Sequence, residues 1–200
     1  HGVNSGIKTQ LNAFNKNMTG QMKASPDGNK VAITGGNYVY IYKFDNTTGI
    51  LEKYKSIFLQ SNFTEGFTAY GLSFSPNSKL LYYPSYNYLN GVDSYNIMQV
   101  ELEKLDSESD YVGKSIFKTL PGRNAASIQL ASDGKIYVGQ IEIRKIFDND
   151  GVFIRNEIIS INNIGIINEP NKLGENANYT HDSLILENGF TYWGLPNFIQ

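Results

Sequence analysis

Short apolar runs alternate with polar turns along this chain, and the alternation recurs at a long period. The segment "MKASPDGNKVAIT" (22–34) reads as strand, tight turn, strand. Three others match it: "LSFSPNSKLLYYP" (72–84), "IQLASDGKIYVGQ" (128–140) and "LILENGFTYWGLP" (184–196). Their turn residues Asp27, Asn77, Asp133 and Asn188 are spaced by 50, 56 and 55 residues. Several strands per unit at that period predict the blades of a β-propeller.

The turn chemistry fits a hairpin. Pro26 presets φ at the first corner, Asp27 can bond back to the backbone, and Gly28 accepts a left-handed conformation. Ser78 stands where Gly28 and Gly134 stand, so the second turn must close differently or carry strain. Further strands are expected in "NYVYIYKFD" (37–45), "LEKYKSIFL", "IEIRKIFD" (141–148) and "VFIRNEIISI". Phe44-Asp45-Asn46 and Phe147-Asp148-Asn149 read as equivalent residues before the outer hairpin turn. Each unit is then four strands in two hairpins.

The expected fold is all-β: one partial β-propeller over 1–200 with four-stranded antiparallel blades of 50–56 residues. The blades fall at about 21–70, 71–126, 127–181 and 182–200, the last incomplete. Three to four blades make an incomplete ring, since six to eight is commoner. The chain is therefore expected to be part of a longer one or to pair with another piece. His1 stands where an initiator Met would be, which also suits a processed or truncated chain.

Composition agrees. There are 14 Tyr, 11 Phe and 19 Gly, with 23 Asn against 8 Ala, which favours strands and turns over long helices. The net charge is −2 and no basic patch stands out, so nucleic acid is not an expected partner. No apolar run reaches 18 residues, so no transmembrane segment is expected. The absence of Cys excludes disulfides, thiolate chemistry and Cys-based zinc sites.

Taken together and in order, "GQMKASPDGNKVAIT", "VYIYKFDNTTGIL", "YGLSFSPNSKLLYY", "SIQLASDGKIYVG", "GIINEPN" and "YWGLPNFIQ" resemble the propeller region of large secreted Bacteroidetes proteins. Those proteins carry a gliding-motility-type C-terminal sorting domain and leave by type IX secretion. The resemblance runs from about residue 20 to residue 200. It implies an extracellular or outer-surface location, with further blades or modules in the parent chain.

Candidate chemistry is sparse. His181 sits in "NYTHDSL", read as a loop before a fourth inner strand, and no nucleophile elbow accompanies its His-Asp pair. "FDNDG" (147–151) has closely spaced oxygen ligands but lacks the spacing of a calcium loop, so no metal and no cofactor are expected. Glu101, Glu103, Asp106, Glu108 and Asp110 read as a solvated edge. In "YYPSYNYLNGVDSY" (82–95), Tyr86, Tyr88 and Tyr95 are placed in the longest insertion between strands, where they could stack on a glycan or anchor a protein. Trp193 reads as core packing.

The leading expectation is a non-catalytic, cell-surface binding or scaffold module, with a protein or glycan ligand and no catalytic residues. A lactonase-like propeller hydrolase is the first alternative. It would need His, Arg and acidic groups to converge, and only Arg123, Arg144 and Arg155 supply the Arg, the last two on expected outer strands. A component or cargo of secretion or gliding machinery is the second.

Overall fold

The computed structural model describes residues 20–35, 37–59, 69–89, 92–108, 111, 113–118, 122–191 and 194–195, without the side chains of 86–89 and 92–94. Its twelve described strands form three four-stranded antiparallel sheets. The first holds β1 (Met22–Ala24), β2 (Lys30–Gly35), β3 (Tyr38–Asp45) and β4 (Ile50–Phe58). The second holds β5 (Ser73–Phe74), β6 (Leu80–Leu89), β7 (Val92–Glu101) and β8 (Lys114–Lys118), with a one-turn helix α1 (Lys104–Ser107) between the last two. The third holds β9 (Arg123–Leu130), β10 (Ile136–Phe147), β11 (Phe153–Ile167) and β12 (Tyr179–Ile185), with a 3-10 turn at Gly174–Ala177. In each sheet spatial order follows chain order, the meander of a propeller blade. The chain is an all-β partial propeller.

The first hairpin turn repeats as expected. Gly28 and Gly134 have φ of 70° and 78°, and Ser78 adopts the same left-handed conformation at 59°. Ser78 therefore carries the strain that glycine avoids. It also joins two blades, because its Oγ accepts a hydrogen bond from the Asp27 amide at 3.0 Å. One blade on, the Asn77 amide donates to Asn171 Oδ1, also at 3.0 Å. The inner strands are stitched in the same cyclic sense: Gln21 N donates to Tyr70 O at 3.1 Å and Gly71 N to Ala126 O at 2.9 Å. A side chain at Gly71 would meet the backbone of Ala126 and Ile128 at 2.6–2.7 Å, so the close approach requires glycine.

Two apolar clusters fill the seams between blades. Ala32, Ile41, Leu72, Phe74, Leu81, Tyr83 and Val100 close the first seam. Leu80, Tyr82, Ile97, Ile128, Ile136, Val138 and Ile167 close the second. Alternate residues of β6 thus serve opposite seams, Leu81 and Tyr83 one and Leu80 and Tyr82 the other, as a strand covered on both faces must.

Several expected details are corrected. Asn188 does not open a fourth inner hairpin: "LILENG" continues β12, the outer strand of the third sheet, and Leu186 N still donates to Asn162 O in β11 at 2.8 Å. An apolar–turn–apolar pattern cannot distinguish an inner pair from an outer edge. The boundary at 126/127 falls inside β9, and that at 181/182 inside β12. Bulges in the third sheet absorb extra residues in β9, β11 and β12. Asp45 and Asp148 are not equivalent, since one follows the third strand of its sheet and the other the second. The segments 136–140 and 141–147 form one strand, β10. The residues before Gly20, together with Trp193, lie outside those described.

Candidate functional site

The first-hairpin turns and the β11–β12 loop gather at one end of the blades; Arg123 begins β9 at the other. At the turn end, the second seam is held by a satisfied polar clamp. Buried Gln99 donates through Nε2 to Tyr82 Oη and to Lys172 O, both at 2.7 Å. Its Oε1 accepts from Gly174 N at 2.9 Å, and Tyr82 Oη donates to Pro170 O at 2.9 Å. Burial pushes the Tyr82 hydroxyl up to about 12, opposed by the hydrogen bond from Gln99.

Beyond the clamp, toward the opposite end, the third sheet is irregular along one line. Between the pairs Val138↔Ile128 and Gln140↔Ala125, β9 carries one residue more than β10. Between Gly139↔Ile164 and Ile141↔Ser160, β11 carries two more. Between Ile164↔Leu184 and Ile166↔Thr180, residues 181–183 of β12 face Gly165 alone. Asp182, in that last bulge, has φ 54°, a costly conformation for a non-glycine residue. Bulges of this kind re-aim side chains.

Here they bring Arg123, His181 and Asp182 together. Arg123 Nη1 donates to both Asp182 carboxylate oxygens, at 2.8 and 3.0 Å. The two side chains are 25% and 33% exposed, so solvent can reach them. His181 Nε2 lies 3.5 Å from Asp182 Oδ1, and its Nδ1 is 3.3 Å from Tyr179 Oη. The imidazole stacks on Phe117 of the second blade, centroids 5.5 Å apart at 24°. Phe117 and Tyr179 touch at 4.5 Å. Tyr179 lies over Gly165, where an added Cβ would meet its Oη at 2.2 Å. Burial lowers the His181 pKa below its usual value; Asp182 opposes that shift and Arg123 reinforces it. The ring is therefore neutral at neutral pH. Glu142 pairs with Arg123 across β9 and β10 and accepts from Arg144 Nη2 at 3.4 Å.

The tyrosines singled out in the sequence sit elsewhere. Tyr86, Tyr88 and Tyr95 belong to the β6–β7 hairpin and not to an insertion; Tyr86 and Tyr95 are cross-strand partners, and Tyr95 is buried. A long pleated hairpin reads as an insertion when its apolar run is broken by Pro84 and Asn87. His181 is in a strand, not a loop. Asp148 Oδ1 is taken up by the Asp150 and Val152 amides at 3.0 and 2.8 Å, closing its own turn. Sequence reasoning named Arg123 and His181 but could not bring them together, because the bulges that do so have no signature in residue type.

No family model matches the chain, and no curated protein matches it. Solved structures do. A periplasmic gluconolactonase from Pseudomonas aeruginosa is 11% identical, with 78% of this chain matched to 55% of that one and a TM-score of 0.42. A candidate 6-phosphogluconolactonase from Bacteroides fragilis is 15% identical, covering 70% of this chain and 38% of that one, TM-score 0.40. A carbohydrate-active enzyme of family AA12 from Trichoderma reesei is 13% identical, covering 76% and 39%, TM-score 0.48. This chain spans well under two thirds of the length of each of these proteins. The expectation of a non-catalytic binding module is corrected here: the Arg, His and acidic groups that the lactonase-like alternative requires stand together. Among the described residues no helix is long and apolar enough to cross a membrane.

Proposed function

We propose that this propeller hydrolyses a lactone at the Arg123–Asp182–His181 cluster. The observation that carries the reading is the convergence of a partly exposed cation–carboxylate pair with a neutral histidine in a strained bulge. Lactone opening adds water across the acyl C–O bond. Negative charge develops on the carbonyl oxygen as water attacks, and the guanidinium of Arg123 is placed to stabilise it. The water's proton passes to Asp182 and onward to His181 Nε2, 3.5 Å away. It returns to the ring oxygen as the C–O bond breaks, giving the hydroxy acid. Phe117 and Tyr179 wall the imidazole and hold its orientation.

The test is acid release from gluconolactone and from unsubstituted δ-valerolactone by the full-length protein, followed in a pH-stat. Arg123→Met should lower turnover on the order of 100-fold, the usual cost of removing one oxyanion-stabilising group. Absence of turnover by the unmodified protein overturns the reading. A secreted or outer-surface parent chain of the type IX class, with further blades, remains part of the proposal on the sequence resemblance. Cell fractionation and the complete reading frame test it.

A further inference from the structure

Three buried glutamines belong to the second and third sheets, and two use their amides fully. Gln99 bonds through both amide atoms. Gln129 donates to Leu130 O at 2.9 Å and accepts from Lys23 Nζ. Gln140, 1% exposed, has neither Oε1 nor Nε2 hydrogen-bonded among the described residues. A buried amide without partners is costly, and a folded protein retains such a group for a reason.

Its position gives the reason. Along β10, Ile136 and Val138 face the second seam, so Gln140, two residues on, faces it as well. Gln140 pairs with Ala125 while Arg123 pairs with Glu142, which makes Gln140 a diagonal neighbour of Arg123, about 7–8 Å away between α-carbons. Arg123 lies on β9 and Asp182 on β12, with β10 and β11 between them. The Arg123–Asp182 pair therefore spans the face that Gln140 occupies. Bulges in both neighbouring strands flank Gln140. Its backbone is pinned by Thr191, whose Oγ1 donates to Gln140 O at 2.6 Å and accepts from Gln140 N at 3.3 Å.

We propose that Gln140 is the substrate-binding floor of this site, its Nε2 donating to the acyl oxygen of a lactone held beneath the Arg123–Asp182 bridge. The inference rests on the lactonase reading and assigns a residue to it. The unpaired amide is then a donor held in place before substrate arrives, at a cost in stability.

The experiment compares Gln140→Met and Gln140→Leu with the unmodified full-length protein. Either variant should lower kcat/KM at least tenfold on both gluconolactone and δ-valerolactone, because the acyl oxygen is common to them. Melting temperature should hold or rise, since a costly unpaired amide is removed. Unchanged kcat/KM overturns the assignment and leaves the lactonase reading standing. A lowered melting temperature in both variants makes Gln140 structural and also overturns it. If the unmodified protein turns over neither lactone, the lactonase reading fails, and binding decides the assignment. It survives only if gluconolactone raises the melting temperature of the unmodified protein and not that of Gln140→Met.

Discussion

The two ends of the seam between the second and third blades solve the same problem in opposite ways. At the turn end, Gln99 enters the seam and every polar atom it brings is paired, with Tyr82, Lys172 and Gly174. Toward the opposite end, Gln140 enters the same seam and pairs with nothing among the described residues. The β6–β7 pairing beside Gln99 is regular and a single bulge interrupts its β7–β8 pairing, at Ile97/Met98, whereas bulges in both strands beside β10 flank Gln140. A satisfied polar clamp fixes how two blades meet. An unsatisfied one beside a strained aspartate stores binding capacity at the expense of stability.

That contrast is broken first at Gln99. Gln99→Leu leaves the Tyr82 hydroxyl, the Gly174 amide and the Lys172 carbonyl without their partner, and should destabilise by about 3 kcal/mol in urea denaturation. If Gln99→Leu proves as harmless as Gln140→Leu, the two ends are not different in kind. A smaller effect is expected at Gly165. Gly165→Ala drives a methyl into Tyr179, displacing the ring that packs His181. The cost should be about 1–3 kcal/mol. Lactone turnover should fall more steeply than in Gln99→Leu, because only one of these substitutions touches the cluster.

Protonation of His181 gives a gentler probe of the same end. Its pKa is lowered by burial first, with Asp182 opposing and Arg123 reinforcing. A histidine with a depressed folded pKa disfavours its charged form in the native state. Its contribution to stability is present above the unfolded value of about 6.5 and is lost as pH falls through that value toward the folded one. Denaturation midpoints of the unmodified protein should therefore drop between pH 7.5 and pH 5 more than those of His181→Phe. Equal slopes would remove the burial argument.

How much of this was legible in the sequence follows from what each feature depends on. The blade count came from turn residues, because Asp27, Asn77 and Asp133 carry local chemistry that the hairpin demands. The fourth match, at Asn188, failed because the same turn chemistry serves an outer edge. Arg123 and His181 were visible as rare residue types, yet they are brought together by bulges, which depend on how many residues face each other across a sheet. Gln140 had no signal at all. Its role rests on partners it lacks, and only the packed seam shows that.

The smallest expected effect returns to the turn end, at Ser78. Its φ of 59° would be cheaper for glycine, so Ser78→Gly relieves strain. The same change deletes the hydroxyl that accepts from the Asp27 amide at 3.0 Å. The two terms oppose each other, and each is about 1 kcal/mol. Ser78→Gly should therefore shift stability by less than about 1 kcal/mol in either direction. Ser78→Ala separates the terms, because it keeps the strain and loses the bond; it should cost about 1 kcal/mol. If Ser78→Ala is neutral, the hydroxyl is not joining blades, and serine at this position is merely tolerated. If it costs what is expected, the one departure from Asp-Gly in the repeated turns is a stitch between blades, placed where glycine would have been the easier choice for the backbone.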